Sequence, residues 1–317
     1  MMDPLSEVLS LLKPEGYLTA GLAAGGDWAV RFDSQTGVIK CHAILEGDCW
    51  LAVDGETPVR LEAGDCLILV SGKSFTLARD LRQPPVSAHV LLKDARPGDN
   101  VRINDGGSFR LIGTRFLIDA GNMQRLLGTM PALIHLRAAA SAGVLRWSIE
   151  QLIAETAEAG LGTSLATHHL AHLILLQAFR LYLSGTTDVR IGMLYALSDR
   201  RLARAIEAMH RKPGHAWTLA DLSALAGLSR STFVDRFRDR VGETPIAYLT
   251  RWRMMLAAER LRIGDEKLAE IAHALGYESE NAFSTAFKRV MGCAPTRLPP
   301  PHFSSPMEGL LKLDEHQ

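Results

Sequence analysis

The apolar and polar positions of this chain change rhythm along its length, and each rhythm predicts a different kind of element. Residues 2–12 read as a short amphipathic helix with Leu5, Val8, Leu9 and Leu12 on one face. From Tyr17 to about Leu92 the period shortens. The β-prone runs WAVRF (28–32), VIKCHAIL (38–45), CWLAV (49–53), CLILV (66–70) and FTLA (75–78) are separated by turn signals rich in Gly and Asp, such as AGGD (24–27) and EAGD (62–65). Strands so spaced predict an antiparallel sandwich or barrel. Strand-like text returns at 109–118. Residues 144–159 and 164–183 then read as two long helices. Leu165, His169, His172, Leu176, Phe179 and Leu183 approximate one stripe of the second, and Leu173 widens it. So broad an apolar arc must be buried on two sides, within the fold or against a second copy of the chain. After Gly185 the pattern is helical to about Val290, and the Pro-rich tail at 299–317 reads as disordered.

Within the helical third the sequence repeats itself. Residues 219–245 pair with 268–295: Leu222, Ala226 and Gly227 match Ile271, Leu275 and Gly276, and Phe233, Phe237, Gly242 and Pro245 match Phe283, Phe287, Gly292 and Pro295. Each copy has the grammar of a helix-turn-helix. A short helix ends at a glycine, where a left-handed backbone costs least. A capping residue follows (Ser229; Ser279 or Glu278), then a helix that buries two Phe at i,i+4. The outer face of that helix is dense in donors. A rod of that shape fits the major groove, where its first half reaches base edges and flanking cations meet phosphates. The spacer 246–261 contains no Gly or Pro and reads as a helix of roughly 24 Å, long enough to hold two such heads in successive grooves. Its Arg251 and Arg253 either touch phosphates or are simply solvated.

Charge sharpens this picture. The chain carries 35 Lys and Arg against 35 Asp and Glu, but residues 199–297 hold 17 against 12, and residues 1–198 hold 17 against 20. The basic block is the part suited to a polyanion. No run of 18 apolar residues predicts a membrane span, and residues 2–12 lack the basic flank of a secretion signal, so a cytoplasmic location is expected. The four cysteines form no CxxC pair, and buried thiols are the plain reading of the three in strand-like text, against a disulfide or sensor role.

Residues 199–297 resemble the DNA-binding domain of the AraC/XylS family. The likeness rests on AAERL (257–261), LAEIAHALGY (268–277), FSTAFK (283–288) and GCAP (292–295). It implies that both recognition helices lie in the major groove, with Arg230, Ser231, Thr232 and Asp235, and Glu280, Asn281 and Thr285, facing bases. Ser229, Arg236, Arg238, Arg240, Arg253, Ser279, Lys288 and Arg289 are the phosphate candidates. Two departures stand out. The P-x-x-Y-R ending frequent in the family is replaced by Leu298 and Pro299 after Arg297, and Thr285 stands where several members carry a longer polar or basic side chain, which implies less sequence readout by the second head, or none.

The strand-rich half resembles the cupin-like sensor domain of one branch of that family, through His42 to Trp50, Leu61 to Gly72 and Pro131 to Leu136. Catalytic cupins bind a metal through two His and a Glu on the first motif and a His on the second. Here Ala43 and Ile44 follow His42, and Phe75 occupies the position of the later His, so the ligand set is incomplete and no metal is expected. A barrel of this size can still enclose one small ligand. Trp28, Arg31, His42, Cys49, Trp50 and Cys66 are the pocket candidates, with the inward face of each strand left open. His168, His169 and His172 include an i,i+4 pair able to hold a metal, but a buried interface accounts for them better.

The expectation is an α+β multidomain protein: a cupin-like antiparallel β-barrel over 1–140, linker or dimerisation helices over 141–190, and an all-α double helix-turn-helix domain over 199–298. It would be a sequence-specific transcription regulator rather than an enzyme, without a cofactor, acting on double-stranded promoter DNA as a homodimer and answering an unknown small-molecule effector. A metal-dependent cupin enzyme fused to a DNA-binding module, and a thiol sensor working through Cys41, Cys49 or Cys66, are the rival readings.

Overall fold

The computed structural model describes residues 3–96, 98–137, 143–157, 160–185 and 192–299, and the predicted disordered tail from residue 300 lies outside them. In chain order the elements are α1 (Pro4–Leu12), β1 (Glu15–Leu18), β2 (Gly21–Ala24), β3 (Ala29–Phe32), β4 (Val38–Glu46), β5 (Asp48–Val53), β6 (Val59–Glu62), β7 (Cys66–Leu69), β8 (Phe75–Ala78), β9 (Val86–Ser87), α2 (Ala88–Leu92), β10 (Asn100–Ile103), β11 (Phe109–Leu117), α3 (Ala120–Leu127), β12 (Leu133–Leu136), α4 (Val144–Ala157) and α5 (Thr163–Gly185). The helices α6 (Met193–Ala196), α7 (Arg200–Arg211), α8 (Leu219–Ala226), α9 (Arg230–Val241), α10 (Pro245–Ile263), α11 (Leu268–Ala274) and α12 (Glu280–Met291) complete it.

These elements form two compact units. One holds residues 14–120 and 130–185, the strands with α2, α4 and α5. The other combines, among the described residues, 3–13, 121–129 and 192–299. Helices α1 and α3 therefore group with the helices α6 to α12, although both fall within the 1–140 expected to form the strand-rich domain.

The strand unit contains two sheets. One has the order β10-β2-β11-β4-β7-β12, with β1 also paired to β11; the other is β6-β5-β8-β3-β9. They do not close into the antiparallel barrel expected. Strand β10 runs parallel to β2, and β9 runs parallel to β3. The short parallel strands arise where the chain returns to an edge from the same side, which turn signals alone do not reveal. The core lies between the sheets, where Cys49, Leu51 and Val53 of β5 alternate inward and meet Leu67, Leu69, Phe75, Leu77 and Leu111. The long ladder of β4 and β11 pairs Val38 with Leu117 through to Ile44 with Leu111, then shifts register at Arg110. Both faces of β4 and β7 are buried, which removes the alternation that would have shown their inward side.

Helix α5 buries Thr167, Ala171, Ile174, Leu175, Ala178, Phe179 and Tyr182. The predicted stripe is thus rotated: Leu165 and His169 are exposed, and small residues at 171 and 178 take the inner face. Helix α4 contributes Leu145, Ser148 and Leu152 to the buried side. The imidazoles on α5 act as braces. His168 Nδ1 lies 3.0 Å from the Gly16 carbonyl oxygen, and His172 Nε2 lies 2.6 Å from that of Pro14.

Candidate nucleic-acid interface and sensor cavity

The first helix-turn-helix is built by its caps. Thr218 and Asp221 form a reciprocal capping box at the start of α8, and Gly227 ends it with φ 64°, a conformation that suits glycine. Ser229 then caps α9, accepting from the Thr232 amide at 3.3 Å. Phe233 and Phe237 are fully buried, their ring centroids 5.6 Å apart, and Phe237 meets the buried Tyr248 of α10 edge-on. Two buried aromatic rings one turn apart fix which face of α9 is left for solvent.

The second copy follows the same construction. Glu270 accepts from the Lys267 amide at the start of α11, and Ser279 caps α12 by accepting from Ala282 at 3.2 Å. Phe283 and Phe287 are buried with Met254, Ala258, Ile271 and Leu275. Between the copies α10 spans 19 residues, roughly 28 Å, and is slightly longer than the spacer helix expected. Pro245 occupies its first turn, where a missing amide proton costs nothing, and Thr244 caps it. Gly276 has φ 82°, and a Cβ there would lie 2.4 Å from the Gly214 carbonyl oxygen, so the turn of the second copy closes directly on the loop after α7.

The exposed face of α9 carries Arg230, Ser231, Thr232 and Asp235, and that of α12 carries Glu280, Asn281 and Thr285; all seven are exposed. The Thr285 hydroxyl donates to the Asn281 carbonyl at 2.9 Å, which spends its one proton within the helix. Ser229, Ser279, Arg238, Lys288 and Arg289 are exposed as well. Other candidates are occupied. Arg236 Nε donates to Asp199 at 2.6 Å; burial works to raise the Asp199 carboxyl, but the Arg236 guanidinium and two backbone amides more than reverse it. Arg240 lies over the Tyr195 ring at 5.2 Å. Arg253 donates to the carbonyls of Pro213 (2.6 Å) and His215 (2.8 Å), and Arg251 donates to Glu243 and to the Arg125 carbonyl. Arg251 and Arg253 are thus tied to their own unit, Arg251 through α3. Nothing in their local sequence distinguishes such a brace from a free cation.

A buried polar line joins α1 to this unit. His210 Nδ1 faces Glu7 Oε2 at 2.8 Å, Nε2 faces the Tyr248 hydroxyl at 2.6 Å, and the ring stacks on Trp252 with centroids 3.6 Å apart. Burial lowers the His210 pKa, and the nearby Glu7 carboxylate offsets this only in part, so the ring is neutral at pH 7. Burial also drives the Tyr248 hydroxyl far up, keeping its proton. The consistent arrangement is Nδ1–H donating to Glu7 and Tyr248 O–H donating to Nε2.

In the strand unit a cavity of about 620 Å³ opens between the sheets. Of the six predicted pocket residues only His42 lines it, beside Lys40, Arg115, Phe32, Leu91 and Leu111. Trp28 belongs to the buried core, its ring centroid 4.7 Å from that of Phe109, and Cys49 is buried in the same core. Arg31 is held in a two-pronged ion pair with Asp54, and Trp50 sits on the outward side of β5. Cys66 lies on the opposite face of the sheet, where it shares a void of about 10 Å³ with Cys41 and α4 and α5. Burial, then Asp48, pushes the Cys49 thiol to about 12; burial, then Asp65, does the same for Cys66, and burial raises Cys41 well above its usual value. Such thiols stay protonated and are poor nucleophiles. Among the described residues no group of three or more His, Cys, Asp and Glu is placed to hold a metal ion, and no helix is long and apolar enough to cross a membrane. In the sequence the cavity is signalled by Lys40, a cation between the apolar pair Val38 and Ile39 and the buried Cys41 of β4.

Two family profiles match the chain: one described as a cupin over residues 3–184, and one described as a helix-turn-helix domain over residues 222–298. An AraC-like transcription regulator of Streptomyces lividans is 41% identical over 296 residues, 93% of this chain and 97% of that one. A second AraC-like regulator, from Streptomyces antibioticus, is 40% identical over the same shares. The transcriptional regulator AlkR of Acinetobacter baylyi is 29% identical over 91% of this chain and 96% of its own. With the two capped and aromatic-anchored helix-turn-helix copies behind a cupin domain, these likenesses make the chain a member of the AraC family of DNA-binding transcription regulators.

Proposed function

We propose that this regulator reads promoter DNA with the exposed faces of α9 and α12 while the cavity of the strand unit takes a small-molecule effector. The reading of bases rests on one observation: Phe233, Phe237, Phe283 and Phe287 are all buried, so the donors of Arg230, Ser231, Thr232 and Asn281 and the acceptors of Asp235 and Glu280 are left on the solvent side. Exposed Arg238, Lys288 and Arg289, with the capped N-termini of both helices, supply the phosphate contacts. Because Arg253 and Arg236 are engaged within the unit, they act as braces that hold the reading helices. The effector works by population shift: a ligand that prefers one arrangement of the chain changes which half-sites the two heads span. A homodimer formed through α4 and α5 fits their exposed apolar residues Val144, Trp147 and Leu165. Action in the cytoplasm and the absence of catalysis fit a family whose named relatives are regulators.

The test is selection of bound sequences from random duplex DNA, followed by a salt titration on the selected site. A recurring motif and a slope of log K against log salt near −4 to −5, for about five phosphate contacts, are expected. Recovery of unrelated sequences would defeat the specific reading, and a slope near zero would defeat the electrostatic one.

A further inference from the structure

The cavity between the sheets has a chemical polarity that points to the kind of molecule it holds. Strands β4 and β11 bring three nitrogen-bearing positions to its wall. Lys40 is the register partner of Arg115, and His42 is the partner of Gly113. Gly113 is required there: a Cβ on it would lie 2.7 Å from His42 Nδ1 and 2.7 Å from Thr19 Oγ1, so only glycine leaves the imidazole its place.

His42 is 6% exposed, and among the described residues neither of its ring nitrogens has a hydrogen-bond partner. Burial, with the Lys40 charge second, lowers its pKa to about 3, so it is neutral at physiological pH and can donate one N–H. The Lys40 ammonium sits 5.4 Å and 5.0 Å from the ring centres of Phe32 and Phe75, which stack on each other at 4.5 Å. No carboxylate forms an ion pair with Lys40 among the described residues; Asp33, exposed at the rim, is the one lining residue of opposite charge. Burial first, and the Arg115 charge second, draw Lys40 down to about 8. A largely buried ammonium and an unsatisfied buried donor beside it are costly to keep. Leu22, Val90, Leu91, Leu92 and Leu111 give the wall an apolar stretch, beside the polar Thr19, Ser34, Gln35, Ser87 and His89.

We propose that this cavity binds a small amphipathic anion, its charged head at Lys40, Arg115 and His42 and its apolar body along Phe32, Leu91 and Leu111. The proposal rests on the reading of the cavity as the effector site and adds the ligand's class. An anionic head gives the buried donor an acceptor and places a negative charge between the cations, interactions that a neutral or cationic head cannot supply. The cavity volume falls in the range of ordinary small-molecule sites.

The experiment uses the full chain and two skeletons, decyl and 2-naphthyl, each carrying a carboxylate, an alcohol or an amine. Thermal unfolding and calorimetric titration at pH 7 should show saturable binding of decanoate or 2-naphthoate at least tenfold tighter than its alcohol, with the amines weakest. Lys40→Met and Arg115→Met should each weaken the carboxylate about tenfold or more while leaving the alcohol unchanged, which also reports that the variants are folded. Equal binding of the three head groups, or carboxylate binding unaffected by both variants, overturns the anion assignment and leaves the effector cavity standing. If no compound stabilises the protein, the proposal is overturned. The cavity reading is then judged separately, by whether Leu111→Trp, which fills the space, alters DNA binding.

Discussion

Nδ1 of His210 lies 2.8 Å from Oε2 of Glu7, a pair 203 positions apart in the chain. The contact fastens α1 to α7, and on its other side the imidazole Nε2 accepts a hydrogen bond from the Tyr248 hydroxyl. Because burial holds the folded-state pKa of His210 below its unfolded value, the unfolded chain binds the extra proton as pH falls below about 6.5. Stability contributed by this site is therefore present above that pH and declines in acid. Urea unfolding should show a midpoint that drops between pH 7 and pH 5, with a smaller drop for His210→Phe. Glu7→Ala leaves a buried N–H without its acceptor and should cost about 1–3 kcal/mol at pH 7. An unchanged midpoint in Glu7→Ala would show that α1 does not brace these helices.

Phe233→Ala and Phe283→Ala each open a cavity in a fully packed site. A loss of about 3–5 kcal/mol is expected for each. Because the two copies have largely separate cores, the damage should be local. Hydrogen exchange should speed up in α8 and α9 for the first variant and in α11 and α12 for the second.

Arginines of the same unit should separate into two classes. Arg238→Ala removes an exposed cation and should reduce the salt slope by about 1 while leaving unfolding unchanged. Arg253→Met breaks two bonds to backbone carbonyls and should lower the melting temperature, with DNA affinity falling for all sequences alike. A slope change for Arg253→Met at unaltered stability would make it a phosphate contact after all.

The buried thiols predict chemical silence. With pKa values of about 12 for Cys49 and Cys66, the thiolate fraction at pH 7 is on the order of 10⁻⁵. Iodoacetamide should leave both unlabelled in the native protein by mass spectrometry and label them once urea is added. Rapid native labelling would reopen a thiol-sensing role.

Trp147 is 50% exposed on α4, with Val144 and Leu165 also open to solvent. If these residues join two copies, Trp147→Glu should halve the mass measured by light scattering, and the affinity for a paired site should fall more than that for a single half-site. A wild-type chain that is monomeric at micromolar concentration would remove the basis for the expected dimer.

The helix-turn-helix copies are legible in the sequence because every structural instruction in them is local. Gly227, Ser229, Phe233 and Phe237 sit within eleven residues of one another, and the second copy repeats them. The strand unit is less legible. In β7 all four residues are buried, so a periodicity argument has nothing to count. Trp28 and Cys49 look like pocket residues only until the pairing of β3, β5 and β8 places them in the packed interior. Lys40 and Arg115 become neighbours through a register 75 residues apart, which no local pattern encodes. The engagement of Arg236 and Arg253 is hidden for the same reason: Asp199 and the carbonyls after Lys212 are brought to them by the fold.

Helices α1 and α3 have a practical bearing on any attempt to isolate the promoter-reading half. A fragment cut to begin near residue 192 would contain both helix-turn-helix copies and would still lack two of the pieces that cover them. It would strip the acceptor from His210 and the Arg125 carbonyl from Arg251, and bare the side of α7 that α1 shields. Such a truncation removes an integral wall of the module along with the strand unit, so weak or erratic behaviour of the fragment would say little about regulation in the intact chain.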